Sequence, residues 1–144
     1  PKTPKPLFYD ILKIRINHFY ANNYDDVDEK IITSNVGRTI KVVPDSPDFT
    51  FERREENGDV MIHVLNGVSK MLKPIIKKPV GASDWAITQE GTYITSVGSK
   101  LMSYNPIRDQ EWQEIMDLGE MGANGITRMS INGNNKRLAL VINQ

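Results

Sequence analysis

The chain reads as an all-β fold of short antiparallel strands, and three observations predict it. First, a hairpin-like pattern is written twice. Ser83 to Val97 and Thr127 to Val141 align at a spacing of 44 residues, each with an apolar pair spaced by two, a polar tight turn and an apolar run. Second, Leu12, Ile14 and Ile16 are separated by Lys13, Arg15 and Asn17, the period of a half-buried strand. Third, Asn57-Gly58 and Asn66-Gly67 punctuate apolar runs with residues that tolerate the positive φ of tight turns.

Taken in order, Pro1-Lys2-Thr3-Pro4-Lys5-Pro6 has the composition of an extended linker. Residues 1–7 are therefore read as a linker or processed tail, cut behind a signal, anchor or preceding domain, and 8–144 as one all-β domain. The alternation from Ile11 predicts a strand, and Ala21 to Glu29 is polar and acidic. Lys30 to Thr33 and Arg38 to Val43 flank the turn-like Ser34-Asn35-Val36-Gly37, which predicts a hairpin. Pro44 to Asp48 is a loop, because its two prolines remove donors and bias their predecessors to extended conformations.

Phe49 to Arg54 and Val60 to Leu65 bracket Glu55 to Asp59, and Asn57-Gly58 predicts a type I′ hairpin between them. Val68 to Ile76 follows as a strand that Pro74 confines to an edge or an end. Gly58 to Leu65 also lies over Gly91 to Gly98 as a third, looser copy of the hairpin.

The clearest unit runs from Asp84 to Leu118. Strands at Asp84 to Thr88, Thr92 to Val97, Lys100 to Tyr104 and Trp112 to Leu118 make four antiparallel strands in about 35 residues, the size of one propeller blade. Gly119 to Gly125 is a glycine-rich loop, after which a second unit begins and the chain reaches Gln144 just past its second strand.

Ile126 to Val141, with Ser130-Ile131-Asn132-Gly133, Lys136 and Leu138-Ala139, resembles the first two strands of WD40-like and TolB-like propeller blades. These read as apolar-x-apolar, Ser-x-Asp-Gly, Lys, then Leu-Ala. The resemblance is best over residues 83–144; the usual Asp-Gly turn is replaced by Asn132-Gly133-Asn134-Asn135, and no Gly-His or Trp-Asp pair of true WD40 repeats is present. It implies four-stranded antiparallel blades in a partial β-propeller, with a β-sandwich as the alternative. A closed ring takes about four to eight blades of roughly 40 residues. This length supplies about three, which predicts an incomplete propeller, either a piece of a larger protein or one completed by further copies.

Composition narrows the function classes. Eighteen Lys and Arg balance eighteen Asp and Glu, so no overall field draws the chain to nucleic acid or an anionic membrane. Without cysteine there is no disulfide, thiolate metal site or cysteine nucleophile. No Asn-x-Ser/Thr sequon occurs, and no apolar stretch approaches about 18 residues, so no transmembrane segment is expected.

Few residues suggest chemistry. Asn22 and Asn23 with Asp25, Asp26 and Asp28 gather oxygen ligands, but their spacing departs from a calcium loop, and a solvated acidic loop is the plainer reading. His18 and His63 are the two histidines; His63 shares a strand face with Met61 and Leu65 and is expected at a core edge or surface rather than on a metal. Lys70 to Lys78 is basic and apolar but lacks the aromatics or arginines of a nucleic-acid contact, so its lysines read as edge-strand protection. No nucleophile elbow, phosphate-binding glycine loop or zinc-protease motif is present, and neither a cofactor nor a catalytic group is expected.

Aromatic residues are the candidates for ligand contact: Trp85, Trp112 and Tyr104 in the best-defined unit, with Phe8, Tyr9, Phe19, Tyr20 and Tyr24 near the start. Structural core is the competing account for each, and Trp85, one step out of phase with Ala86, fits either. The expectation is a non-catalytic interaction module for a protein or peptide, or for the remainder of its own propeller. The alternatives are an exported carbohydrate-binding lipoprotein domain and an accessory domain of a larger enzyme. An exported location is favoured over a cytoplasmic one.

Overall fold

The computed structural model of the chain describes residues 9–17 and 27–144, with side chains at 33–37 and 39–144. Among these residues the strands form three antiparallel sheets that follow one another along the chain. The first holds β1 (Tyr9–Asn17), β2 (Val27–Val42), β3 (Phe49–Arg54), β4 (Val60–Leu65) and β5 (Leu72–Lys77) in that order. The second holds β6 (Trp85–Ile87), β7 (Tyr93–Val97), β8 (Lys100–Tyr104) and β9 (Gln113–Asp117), the four strands expected there. A short 3-10 turn at Gly119–Met121 leads to the third, β10 (Gly125–Ile131) and β11 (Leu138–Asn143). No helix among the described residues is long and apolar enough to cross a membrane.

The expected hairpin at Lys30 to Val43 is instead one continuous strand. The first half of β2 pairs with β1, from Asn17↔Val27 to Tyr9↔Gly37, and its second half pairs with β3, from Val36↔Arg53 to Val42↔Phe49. Ser34 to Gly37 has turn composition because it is where the strand changes partner: Asn35 takes φ 59° and the register shifts beyond Val36. Gly37 lets the chains approach, since a Cβ there would lie 2.4 Å from Cγ of Glu52.

Two further boundaries differ from expectation. Around Asn57-Gly58 only Gly58 has positive φ; Gly58 N–H donates to Glu55 O at 3.0 Å and Glu55 N–H to Asp59 O at 2.7 Å. A type I′ turn, which needs positive φ at both Asn57 and Gly58, is therefore not formed, and Asn57 Oδ1 instead accepts the Asp59 N–H at 2.9 Å. β5 starts at Leu72 rather than Val68, because Asn66 Oδ1 accepts the N–H groups of Val68 and Ser69, each at 2.9 Å, and folds that segment into a turn. Pro74 lies on β5 at the sheet edge, as its missing donor requires.

Twin hairpins are present with a one-residue offset. Ile87 faces Tyr93, whereas Ile131 faces Leu138, so the first strands repeat at 44 residues and their partners at 45, the second loop being one residue longer. The apolar core lies between sheets. Trp85, Ile87 and Tyr93 pack with Ile62 of β4 and with Ile75 and Ile76 of β5, while Ala86 and Leu101 pack with Ile126, Met129 and residues of β11. β6 is therefore buried on both faces, with alternate residues serving different neighbours. Three sheets stacked in chain order replace the β-sandwich considered as the alternative.

Candidate functional site

Where β2, the entry to β6 and β10 converge, a cleft of about 870 Å³ opens. Its floor is a network of side chains that bond to bare strand edges. Asp84 stands just before β6: its Oδ1 accepts Trp85 N–H at 2.9 Å, and its Oδ2 accepts Met129 N–H at 2.8 Å and Lys41 Nζ at 3.2 Å. Lys41 Nζ also donates to Met129 O at 3.0 Å. Both polar groups of the Met129 peptide, which face away from β11, are thereby satisfied across the sheet boundary.

A second pair lies beside it. Lys78 Nζ donates to Glu52 Oε2 at 2.9 Å and to Ser83 O at 2.8 Å, and stands 5.6 Å from the Trp85 ring centroid. Lys78 side chain is 7% exposed and Glu52 13%, so this lysine departs from the solvated edge position expected of the Lys70 to Lys78 run. Ser83 Oγ donates to Ile126 O at 2.9 Å, a further tie between the second and third sheets. Thr39, Ile40 and Arg54 line one wall; Arg128, Ser130 and Val141 line the other. Four cations, Lys41, Arg54, Lys78 and Arg128, stand against two carboxylates, Glu52 and Asp84.

The aromatic candidates divide. Trp85 is 0% exposed in the core, its Nε1 donating to Thr50 Oγ1 at 2.9 Å, while Thr50 Oγ1 donates to Lys41 O at 3.1 Å. Tyr104 and Trp112 come together with ring centroids 5.7 Å apart and planes tilted by 50°; Tyr104 is buried, and half-buried Trp112 donates Nε1 to Lys77 O at 2.9 Å. His63 is buried and stacked on Phe51, with centroids 5.8 Å apart, at the core edge where the sequence places it. Burial holds its pKa below 6.5, outweighing the Met61 carbonyl at 3.4 Å from Nδ1 and the nearby Glu55 carboxylate.

Asp25 and Asp26 lie outside the described residues, as do His18, Phe8, Phe19, Tyr20 and Tyr24; Asp28 stands in β2 opposite Ile16, and Tyr9 in β1 opposite Gly37. Among the described residues no three His, Asp or Glu groups come together as a metal site. Sequence reasoning missed Lys41, Glu52, Lys78 and Asp84 as one network. The available signal was polar residues inside apolar strand patterns, Lys41 between Ile40 and Val42 above all.

No protein-family model matches the chain, and no curated protein matches it by sequence. Among solved structures, the crystal structure of TolB from Acinetobacter baumannii matches with a TM-score of 0.59 at 17% identity, over 81% of this chain and 29% of that one. The fold is that of TolB-like β-propeller blades. The three sheets are thus successive blades. The chain spans 29% of the length of the TolB chain that it matches. The cleft is where strands of neighbouring blades converge, and the Asp84 and Lys41 bonds are the ties between those blades.

Proposed function

We propose that the protein is a non-catalytic interaction module that holds a protein or peptide partner in the cleft between its blades. The observation that carries this reading is the cleft itself: a wide depression lined by four basic and two acidic side chains, with exposed apolar Ile40 and Val141 on its walls and a polar floor whose groups are already bonded. Both carboxylates in it are held by lysines, an arrangement that suits a rigid seat better than a free acid or base. Propeller blades carry many unrelated functions, so the site and not the fold supports the assignment.

A photo-crosslinking residue at Ser130 tests this. A partner protein captured there, and lost when Arg128→Glu and Ile40→Asp are introduced together into a folded protein, supports the reading. Capture that survives those changes, or no capture by folded protein, overturns it.

Carbohydrate binding is the second reading, favoured by one observation: the tilted Tyr104–Trp112 pair offers a half-exposed indole as a stacking platform. Glycan-array binding lost in Trp112→Ala with intact folding supports it; an array without signal removes it.

A further inference from the structure

Four Asn-Gly pairs occur in the sequence, at Asn57, Asn66, Asn124 and Asn132, and all four asparagines are exposed. Such a pair can react with itself, because glycine carries no Cβ to hinder its peptide nitrogen from reaching the Cγ of the preceding carboxamide. Exposure does not choose among the four. What differs is how each glycine nitrogen is hydrogen-bonded.

Glu55 O accepts Gly58 N–H, Thr88 O accepts Gly91 N–H and Asn132 O accepts Asn135 N–H, each at 3.0 Å, so three hairpin turns share one build; φ at their fourth residues is 89°, 83° and 59°. In the first turn the Asn-Gly pair fills the last two places, and the Gly58 N–H is the donor that closes the turn. In the third it fills the first two, and the Gly133 N–H makes no hydrogen bond among the described residues. A Cβ at Gly133 would meet nothing within 4 Å, so the residue stands in open space. The other two pairs are held: Gly67 N–H donates to Asp48 Oδ1 at 2.9 Å, and Asn124, whose N–H donates to Asn143 O at 2.8 Å, leads directly into the β10 ladder at Gly125.

The surroundings of Asn132 also favour reaction. Its Oδ1 accepts Arg137 N–H at 3.0 Å, a donor already on the oxygen where negative charge develops when Cγ is attacked. Asn57 Oδ1 has a similar donor in Asp59 N–H at 2.9 Å, but Glu55, Glu56 and Asp59 flank it, and carboxylates oppose loss of an amide proton. Lys136 and Arg137, which follow Asn132 in its turn, assist that loss.

We propose that Asn132 is a self-modification site, a slow deamidation switch on the contact between the second and third blades. A solvent base takes the Gly133 amide proton, the nitrogen bonds to Asn132 Cγ, and the Cγ–Nδ2 bond breaks, the side-chain nitrogen leaving as ammonia with a proton from water. Water then opens the cyclic succinimide at either carbonyl, giving aspartate or, with the chain rerouted through the side chain, isoaspartate. The sum is a carboxamide and water converted to a carboxyl group and ammonia, with no change of oxidation state. Isoaspartate inserts a methylene into the backbone of the turn that grips blade two, where Gln89 Nε2 donates to Gly133 O at 2.6 Å, Gln89 N–H to Asn135 Oδ1 at 3.2 Å and Asn135 Nδ2 to Glu90 Oε2 at 3.1 Å. Conversion therefore loosens this contact. The turn does not line the cleft, and its chemistry does not depend on what the cleft holds.

The test ages purified protein in mildly alkaline buffer and reads the converted fraction at each asparagine by peptide mapping, with electron-transfer fragmentation to tell isoaspartate from aspartate. Asn132 is expected to convert about fivefold or more faster than the other three, whose backbone hydrogen bonds must open first. Gly133→Ala fits the turn, since Gly133 has no positive φ and open space around it, and is expected to suppress conversion at Asn132 while leaving the other sites unchanged. The Gln89 amide is expected to exchange hydrogen faster in aged than in fresh protein, and to keep its protection in aged Gly133→Ala. Conversion at Asn57, Asn66 or Asn124 as fast as at Asn132, or undiminished conversion at Asn132 in Gly133→Ala, overturns the site. Gln89 exchange unchanged after full conversion overturns its effect on the blade contact.

Discussion

Oδ2 of Asp84 accepts the peptide N–H of Met129 at 2.8 Å, joining two blades through residues 45 positions apart. The same carboxylate holds Trp85 N–H and Lys41 Nζ, so one side chain serves three donors from three parts of the chain. Asp84→Ala leaves these donors without their acceptor, two of them buried peptide groups, and is expected to cost about 3 kcal/mol in urea unfolding. Asp84→Asn keeps one acceptor oxygen and should cost less. A loss below about 0.5 kcal/mol for the alanine variant would mean that the ties are incidental.

Lys78 and Glu52 form a buried pair at the first sheet. Removing one partner strands a buried charge, so Lys78→Ala or Glu52→Ala is expected to destabilise by about 3 kcal/mol. Replacing both with Met and Leu restores apolar packing beside Trp85 and should recover most of the loss. A double variant as unstable as the sum of the single ones contradicts a coupled pair.

His63 makes stability depend on pH. Its folded pKa lies below 6.5 because burial disfavours the charged ring, so the unfolded chain takes up the proton first as pH falls. The contribution is full above 6.5 and is lost as pH falls from there through the folded pKa. His63→Gln should flatten the slope of unfolding free energy between about pH 7 and pH 5; an unchanged slope refutes the assignment.

Tyr93 acts at the other end of the scale. Burial raises its phenol pKa from 10.0 to about 12, so the unfolded chain ionises first on the alkaline side. Its contribution is present below 10.0 and is lost as pH rises from there through about 12. Ultraviolet titration of tyrosinate should show one late phenol that Tyr93→Phe removes, and titration complete near 10.0 would place Tyr93 in solvent.

Local chemistry was legible wherever it acts over a few residues. Val60 to Leu65, Tyr93 to Val97 and Lys100 to Tyr104 alternate or run apolar between glycine turns, and each forms the expected strand. Ser34 to Gly37 was misread for the same reason, since a bulge in a long strand uses the residues that a turn uses. The cleft was not legible. Lys41 and Asp84 are 43 residues apart and Glu52 and Lys78 are 26, and nothing in the local pattern of either pair announces the other.

By itself, then, the amino-acid order determined the all-β class, the four strands between Trp85 and Asp117 and the repeated hairpin, because period-two patterning and turn chemistry are short-range. The side of each residue was decided only by the stacking of sheets. Trp85 and Ala86 point to opposite faces of β6, which in an exposed strand would send one of them to solvent; here a blade covers each face, and both are core. Burial on both faces depends on which sheets stand beside the strand, and neighbouring sheets are a property of the tertiary structure alone.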